Sequence, residues 1–240
     1  MASTRLPGKV LRDLAGRPML AQLVRRLRAC RSLDEIVIAT SIAAGDDPIA
    51  ELGISEGVRV FRGSEADVLG RFVEAAIATQ AEVVVRVTGD CPLIDPRVTD
   101  RVIDELTTNA GTSDYASNVL RRTFPRGLDV EAMFIDALMR VDRLGQSKAE
   151  REHVTITIRS ERPNLFLTRS VESDRNDSDL RWTVDEDRDF RLVARLYSEL
   201  GLSERIVPYE SVVDHVRQHP ELASINADIA TWTPHIDMRQ

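Results

Sequence analysis

The sequence predicts an α/β fold, in which helices cover both faces of a mostly parallel β-sheet. Short β-branched runs alternate with longer amphipathic stretches along the chain, a pattern typical of parallel strands joined by crossover helices. The clearest run, residues 82–88, holds Val83, Val84, Val85 and Val87. Such an almost continuous apolar stretch is expected of a strand that is buried on both faces. Because the chain has 240 residues, we expect a single domain over residues 1–240.

The other elements follow from local patterns. Strands are predicted from β-branched and aromatic runs at residues 35–40, 58–61, 82–88, 113–117, 129–134, 165–171 and 181–184. Helices are predicted from a 3.6-residue apolar period at residues 19–30, 67–79, 96–108, 135–144, 150–159, 187–200 and 210–218. The stretch 150–159 is ambiguous, because its β-branched residues would also suit a strand. The polar stretch 172–179 is predicted to be an exposed loop between two strands.

Three terminal signals support these helix boundaries. Ser64 and Asp67 have the spacing of a capping box. Asp95 precedes Pro96 at a predicted first turn. Gly201 directly follows the helix 187–200, where a glycine C-cap is expected.

Composition excludes several classes of function. The chain has 39 acidic and 32 basic side chains, and hence a formal net charge of −7, whereas a duplex-DNA binder needs a basic face. Cys30 and Cys91 have no CxxC spacing, so neither a disulfide framework nor a zinc site is indicated, and a reducing compartment fits. No apolar run reaches the roughly 18–20 residues that cross a bilayer. We therefore expect a cytoplasmic protein with neither nucleic-acid nor membrane partners.

The opening segment, residues 2–9, combines small hydroxyl residues with two cations and a Pro7-Gly8 turn. The backbone N–H groups of such a turn, together with Arg5 and Lys9, can face an anion. The segment therefore suggests a polyphosphate cradle. It is neither a Walker loop nor a GxGxxG fingerprint, and a solvated turn is the alternative interpretation.

Acidic side chains follow two of the predicted strands. Asp90 comes directly after strand 82–88, and the carboxyl end of a buried parallel strand is where doubly wound folds bind their ligands. Asp90 is therefore a candidate magnesium ligand, with a simple turn as the alternative, whereas Asp95 is predicted to cap the next helix. Asp185, which ends strand 181–184, is placed to reach the same ion.

The acidic run after that strand imitates a calcium loop. Asp185, Asp187 and Asp189 have the spacing that opens an EF-hand, but Phe190 and Leu196 stand where glycine and glutamate are required. Calcium binding of that type is rejected. Acidic residues are favoured in the first turn of a helix, so Asp187 and Asp189 are predicted to be structural.

The remaining candidates narrow the reaction class. His215 and His219 have helical i, i+4 spacing without the accompanying glutamate of a zinc motif, so a surface pair is predicted. His153 is left open between a structural role and a substrate contact. No GxSxG nucleophile elbow occurs. A cationic turn with two acids suits phosphoryl or nucleotidyl transfer with a divalent cation.

Three segments occur in a fixed order along the chain: Ser-Thr-Arg-Leu-Pro-Gly-Lys at 3–9, Thr-Gly-Asp-Cys-Pro-Leu-Ile at 88–94 and Val-Asp-Glu-Asp at 184–187. Together they resemble the CMP-sugar synthetases, the cytidylyltransferases for 3-deoxy-manno-octulosonate and acylneuraminate. The likeness is strongest to the spore-coat polysaccharide biosynthesis cytidylyltransferase branch. Further matches to that branch lie at residues 61–69, 127–131, 150–155 and 180–185, so the resemblance spans nearly the whole chain.

The resemblance implies a nucleotide-diphospho-sugar transferase fold, a Rossmann-like and GT-A-like α/β/α sandwich. It also implies a homodimer, with a small dimerisation and acceptor lobe around residues 125–172. The implied reaction is magnesium-dependent transfer of CMP from CTP to a hydroxyl of an acidic sugar, giving a CMP-sugar and pyrophosphate for surface-polysaccharide biosynthesis. By position, the resemblance assigns catalytic roles to Arg5, Lys9 and Asp90; nucleotide binding to Ala2, Ser3, Thr4, Arg62, Ser64 and Asp67; acceptor binding to Glu131, Glu152 and His153; and magnesium binding to Asp90 and Asp185.

The sequence departs from the family at two places. Family members have an apolar strand ending in an Ala-Arg pair immediately before the opening motif, where this chain has Met1. The resemblance therefore predicts a sheet that lacks this central strand and a phosphate loop without its anchor. Arg126 stands where the branch usually has a short polar or acidic residue, which leaves the identity of the acceptor open.

Two other functions stay open at this point. One is a glycosyltransferase of the same fold that uses a finished nucleotide sugar, although such enzymes usually rely on a DxD pair rather than a cationic opening turn. The other is a nucleotide-binding subunit without turnover, which the missing strand suggests.

Overall fold

The computed structural model describes residues 5–229, and their strands form three sheets, of two, two and four strands. The strands are β1 Asp13–Leu14, β2 Arg17–Pro18, β3 Val37–Ser41, β4 Arg59–Gly63, β5 Val83–Arg86, β6 Tyr115–Ser117, β7 Glu131–Phe134 and β8 Thr168–Ser170. The α-helices are α1 Met19–Leu27, α2 Asp47–Ser55, α3 Val68–Ala78, α4 Pro96–Thr108, α5 Ile135–Leu144, α6 Lys148–His153, α7 Asp187–Leu200, α8 Tyr209–Gln218 and α9 Pro220–Ala223. A π-helical turn occupies Thr157–Glu161, and 3-10 turns occupy Lys9–Leu11, Ala44–Asp46 and Pro163–Leu165.

The larger sheet has the strand order β5-β7-β6-β8. β7 is antiparallel to both of its neighbours, while β6 and β8 are parallel. β5, β6 and β8 therefore all run the same way, and β7 alone is reversed. A second sheet consists of β3 and β4, which are parallel, with Val37 opposite Arg59. The short strands β1 and β2 form an antiparallel pair. The predicted mostly parallel sheet is confirmed.

Alternate residues of β5 show that helices cover both faces of the larger sheet. Val83 and Val85 pack on a cluster that includes buried residues of α1, α4, α7 and α8. Val84 packs on a second cluster, which includes buried residues of α3 and α5. Because successive side chains of a strand point to opposite faces, each face carries its own apolar layer, as in an α/β/α sandwich.

A gap separates the β3–β4 sheet from the larger sheet. Within residues 5–229, β3 is bonded to β4 alone and β5 to β7 alone. A cavity of about 700 Å³ lies between them, lined by residues of β3, β5, α1 and α3 that include Ile38, Val84, Leu23 and Ala75. Among the described residues, each of these strands therefore has an edge without a strand partner.

Helix capping explains the clearest boundaries. The Asp95 carboxylate accepts hydrogen bonds from the backbone N–H groups of Arg97 and Val98 at 2.8 and 3.3 Å, and Pro96 opens α4. Gly201 ends α7 with φ 60°, in the left-handed region that glycine favours. At α3 the predicted capping box is wrong, because Asp67 itself is the N-cap and accepts from Gly70.

Other predictions were wrong for identifiable reasons. Residues 181–184 form only a single bridge, between Arg126 and Arg181, because the backbone N–H groups of Trp182 and Val184 donate to different loops. Residues 150–159 form neither one helix nor a strand, since α6 ends at Val154 with φ 55°. Helix α2 was missed, although Pro48 lies in its first turn.

No helix among the described residues is both long enough and apolar enough to cross a membrane.

The gap predicts that an added strand stabilises the protein. We expect a short Val/Ile segment, fused ahead of residue 1, to pair with the unpaired edges of β3 and β5 and to bury apolar surface in the cavity. A gain of roughly 2 kcal/mol would raise Tm by about 4–8 °C for a chain of this size. Thermal unfolding measures the shift, and a Ser/Gly segment of equal length is the control. Equal Tm values for the two fusions would contradict the prediction.

Candidate active site

The ammonium group of Lys9 joins two carboxylates that lie far apart in the sequence. Its Nζ lies 3.3 Å from Asp90 Oδ2 and 3.0 Å from Asp185 Oδ1. Nζ also donates to the backbone carbonyl oxygen of Val184 at 2.7 Å. These contacts use all three donors of an ammonium group. Asp90 and Asp185 therefore converge beside the opening turn, as the sequence predicts.

Backbone contacts place the two acidic segments side by side. The N–H of Val184 donates to the carbonyl oxygen of Asp90 at 2.8 Å, just beyond the end of β5. On the other side, Asp189 accepts hydrogen bonds from the backbone N–H groups of Asp185 and Glu186 at 2.9 and 3.0 Å. The start of α7 therefore fixes the direction of the chain at Asp185.

Arg181 and Asp189 support Asp185 from inside the protein. Arg181 donates to Asp185 Oδ2 at 2.7 Å and to Asp189 Oδ1 at 3.0 Å, and Asn226 donates to Asp189 at 2.8 Å. Asp189 is fully buried, which agrees with its predicted structural role. No sequence motif points to Arg181, although it lies only four residues before Asp185.

The charge state of Asp185 follows from these neighbours. Burial alone would raise the pKa of Asp185, but the Lys9 ammonium, together with Arg181 and Arg5, brings that pKa below its ordinary value. Asp185 is therefore a carboxylate at neutral pH, ready to pair with a cation.

The carboxylates of Asp90 and Asp185 suit a hard divalent cation whose remaining ligands come from water and substrate. The described residues contain no group of three or more His, Cys, Asp and Glu side chains arranged to hold a metal. Asp90 and Asp185 thus offer two carboxylates around a position that already holds a positive charge. Mg²⁺ is commonly bound in this way, by one or two carboxylates with water and substrate phosphates completing its octahedron. The residues therefore fit a magnesium ion shared with a polyphosphate.

The opening turn carries a second cation to the same place. Arg5 lies 3.4 Å from Asp185 and 3.6 Å from Glu186, and its side chain is half exposed. Gly8 has φ 67°, so the turn before Lys9 uses the conformational freedom of glycine. Both predicted phosphate-binding cations therefore face the acidic pair. Ala2, Ser3 and Thr4, predicted to bind the nucleotide, lie outside the described residues.

Of the other predicted nucleotide-binding residues, Arg62 lies in β4, whereas Ser64 and Asp67 lie on the loop between β4 and α3. Arg62 donates to the carbonyl oxygens of Ser41 and Ala43 at 2.9 and 3.0 Å and pairs with a carboxylate at the start of α2. Ser64 accepts from the backbone N–H of Asp67 at 3.1 Å. These contacts shape the loop, and nucleotide binding by its residues stays a prediction.

Asp67 also joins this loop to α6. Arg151 donates to the two carboxylate oxygens of Asp67 at 2.7 and 2.6 Å and to Asp142 at 2.7 Å. The bonds to Arg151 are the largest cause of a lowered pKa at Asp67. The predicted acceptor residues Glu152 and His153 follow directly. Glu152 is exposed and His153 is half-buried, and their acceptor contacts stay predictions.

Glu131 lies in the interior rather than on an open surface. Its carboxylate accepts hydrogen bonds from Tyr115 and Thr155, each at 2.6 Å, and pairs with Arg86 and with Arg159 at 3.6 Å. Burial alone would raise the pKa of Glu131, but Arg86 and Arg159 bring it below its ordinary value. A direct acceptor contact would displace one of these partners, and it stays a prediction.

The predicted histidine pair contacts a neighbouring helix. His215 lies 2.8 Å from Glu199 of α7, and the ring centroids of His215 and His219 are 4.6 Å apart. His215 therefore links α8 to α7, and His219 stacks beside it at the end of α8. In the part of the chain that the structure describes, they belong to no metal-binding group.

Comparison with known proteins places the chain among nucleotidyltransferases. The cytidylyltransferase family model matches residues 1–205. The spore coat polysaccharide biosynthesis protein SpsF of Bacillus subtilis is 35% identical over 208 residues, or 84% of each chain. The 3-deoxy-manno-octulosonate cytidylyltransferase of Geobacter sulfurreducens is 41% identical over 110 residues, which cover 45% of this chain and 42% of that enzyme. A solved structure of a cytidylyltransferase from Leptospira borgpetersenii is 29% identical, with a TM-score of 0.89 over 97% of this chain and 95% of that one.

The contacts of Lys9 predict how the site responds to magnesium. Replacing Lys9 by Met removes the shared counter-ion of Asp90 and Asp185, so we expect the unfolding free energy to fall by about 1–3 kcal/mol in magnesium-free buffer. Millimolar Mg²⁺ should then raise Tm more in Lys9→Met than in the wild type, because Asp90 and Asp185 would hold the ion without competition from the ammonium group. Lys148→Met, which changes an exposed lysine of α6, is the control. An equal magnesium shift in the wild type and Lys9→Met would refute this account.

The network around Glu131 predicts a pH-dependent stability. Glu131→Ala should lower the unfolding free energy by about 3–5 kcal/mol, because Arg86 and Arg159 lose a buried partner. The folded pKa of Glu131 lies below its ordinary value of 4.5, so its contribution is present above that pH and is lost as the pH falls through the folded pKa. Urea unfolding should therefore show a steeper acid loss for the wild type than for Glu131→Gln. Parallel pH curves for the two proteins would rule out this role for Glu131.

Proposed function

The chain belongs to the cytidylyltransferase family, and we propose that it transfers CMP from CTP to a hydroxyl of an acidic sugar, with magnesium as cofactor. The observation that carries the proposal is the convergence of Asp90, Asp185 and Lys9 on one point beside Arg5. Two carboxylates that can hold a metal ion and two cations that can face phosphates suit a metal-bound triphosphate.

Lys9 and Arg5 are proposed to hold the triphosphate. Both are paired with carboxylates through long flexible side chains, so each can turn to a phosphate when that pairing is replaced. Positive charge at the β- and γ-phosphates stabilises the pyrophosphate that departs. Lys9 also stays close enough to the acidic pair to keep the α-phosphate beside it.

Asp90 and Asp185 are proposed to hold the magnesium ion. When bound there, the ion neutralises phosphate charge and lowers the pKa of the attacking hydroxyl. Val184 and Arg181 keep the two carboxylates in place, because one bonds the backbone at Asp90 and the other bonds Asp185 directly. The protein thus supplies position and charge rather than a covalent intermediate.

The proposed reaction is an in-line displacement. The acceptor oxygen attacks the α-phosphorus of CTP, the proton of the acceptor hydroxyl leaves to solvent, and the bond from the α-phosphorus to the bridging oxygen breaks. The products are a CMP-sugar and pyrophosphate. The names of the relatives support an acidic sugar as the acceptor and surface-polysaccharide biosynthesis as the setting. Cytoplasmic location and a homodimer are part of the same proposal.

A pyrophosphate-release assay tests this function. Four nucleoside triphosphates are each combined with a panel of acidic sugars that includes 3-deoxy-manno-octulosonate, and CTP is expected to support release only with magnesium. Asp90→Asn and Asp185→Asn should each lower turnover by about 100-fold or more, the scale of losing one group that stabilises transition-state charge. Asp187→Asn is the matched control, because Asp187 pairs with Arg12 on the exposed side of α7.

The outcomes separate the proposal from its alternatives. Near-normal turnover in Asp90→Asn or Asp185→Asn would defeat the assignment of these residues. CTP binding in a calorimeter without pyrophosphate release would favour a binding subunit. Release of a nucleoside diphosphate from a nucleotide sugar would favour a glycosyltransferase.

A further inference from the structure

An arginine-rich loop lies against the segment that leads to Asp185. Arg122 donates to both carboxylate oxygens of Asp129 at 2.6 and 2.9 Å, and Arg181 is bonded to Asp185 and to α7. Arg126 differs from both of them. Its guanidinium group has neither a hydrogen bond nor an ion pair with any residue of the described range 5–229.

The backbone fixes the position of Arg126. Its N–H donates to the carbonyl oxygen of Leu180 at 2.9 Å, and the N–H of Trp182 donates to its carbonyl oxygen at 2.6 Å. The next residue, Gly127, has φ 103°, and a Cβ there would lie 2.6 Å from the backbone nitrogen of Thr183. Glycine is therefore required at 127. The close contact there and the two backbone hydrogen bonds of Arg126 hold the loop in one register against the segment that precedes Asp185.

The surroundings of Arg126 disfavour its positive charge. The side chain is half-buried, and burial, followed by repulsion from Arg122 and Arg181, lowers the pKa of Arg126 despite the attraction of Asp129. Asp129 is already paired with Arg122, so it offers little compensation. An anion bound beside the Arg126 guanidinium would offset the repulsion from Arg122 and Arg181.

We propose that Arg126 binds the carboxylate of the acidic acceptor sugar and thereby selects acidic over neutral acceptors. This inference rests on the proposed function. The guanidinium group matches a carboxylate with two parallel hydrogen bonds. The loop of Arg126 is bonded to the segment that ends at Asp185, and the guanidinium group of Arg126 is close enough to be repelled by Arg181, which itself bonds Asp185. A carboxylate also relieves the repulsion among Arg122, Arg126 and Arg181.

Kinetics with matched variants tests the assignment. For an acidic acceptor such as 3-deoxy-manno-octulosonate, Arg126→Gln should raise the acceptor KM by about 10- to 100-fold, the worth of a charged hydrogen-bonded pair, and leave the KM for CTP unchanged. Arg126→Lys should recover part of the loss, because it keeps the charge but not the fork. Arg121→Gln, which alters an exposed arginine paired with Glu172, should leave both constants unchanged. The methyl ester of the same acid should bind the wild type and Arg126→Gln equally.

Thermal unfolding supplies a readout that does not need turnover. If Arg126 is held for a ligand, Arg126→Gln should have a Tm equal to or above that of the wild type, since it removes a repelled charge. A lower Tm would assign Arg126 a structural role and overturn the proposal. An unchanged acceptor KM in Arg126→Gln, with normal wild-type turnover, would overturn it while sparing the proposed function. The absence of wild-type turnover with every acid would instead count against the proposed function. Calorimetry would then decide the role of Arg126, by comparing the affinity of the free acid for the wild type with its affinity for Arg126→Gln.

Discussion

The contacts of the Lys9 ammonium are the interaction on which the candidate site depends. They join the opening turn, the loop after β5 and the segment before α7, which are separated by more than eighty residues in each case. Without this shared cation, two partly buried carboxylates would face one another and repel. The site is thus assembled by electrostatics between segments, while the strand β5 and the helix α7 determine where those segments meet.

The gap between β3 and β5 affects this site because Val10 and Gly89 line the cavity. Val10 follows Lys9, and Gly89 precedes Asp90, so the residues next to two of the charged groups border a space rather than a packed strand. Close packing normally restricts such neighbours to a single arrangement. Lys9 and Asp90 therefore depend more on their mutual contact, and on Val184, than they would beside a continuous sheet.

Local patterns predicted much of the fold. The helices 96–108, 135–144 and 187–200 match α4, α5 and α7 at both ends, because each has a strong apolar period, which at α4 and α7 coincides with a cap. Asp90 and Asp185 were predicted to converge because an acid that follows a strand lies at the crevice. Residues 181–184 resemble a strand because they include aromatic and β-branched side chains. Their backbone N–H groups nevertheless donate to two different loops. The partners of Arg62, Asp67 and Glu131 lie 15 to 84 residues away, and no local pattern contains that information.

In the proposed reaction, substrate binding is an exchange of partners within a site that is already balanced in charge. Lys9 cannot contact Asp90, Asp185 and a triphosphate through the same three donors, so it leaves the carboxylates only when another cation replaces it there. By linkage, tighter binding of the replacing cation to Asp90 and Asp185 also means tighter binding of the triphosphate to Lys9, and the reverse holds equally. Arg5 is subject to the same competition at Asp185. The acidic pair therefore discriminates against CTP without its metal, because free triphosphate would leave two carboxylates unpaired beside its own negative charge.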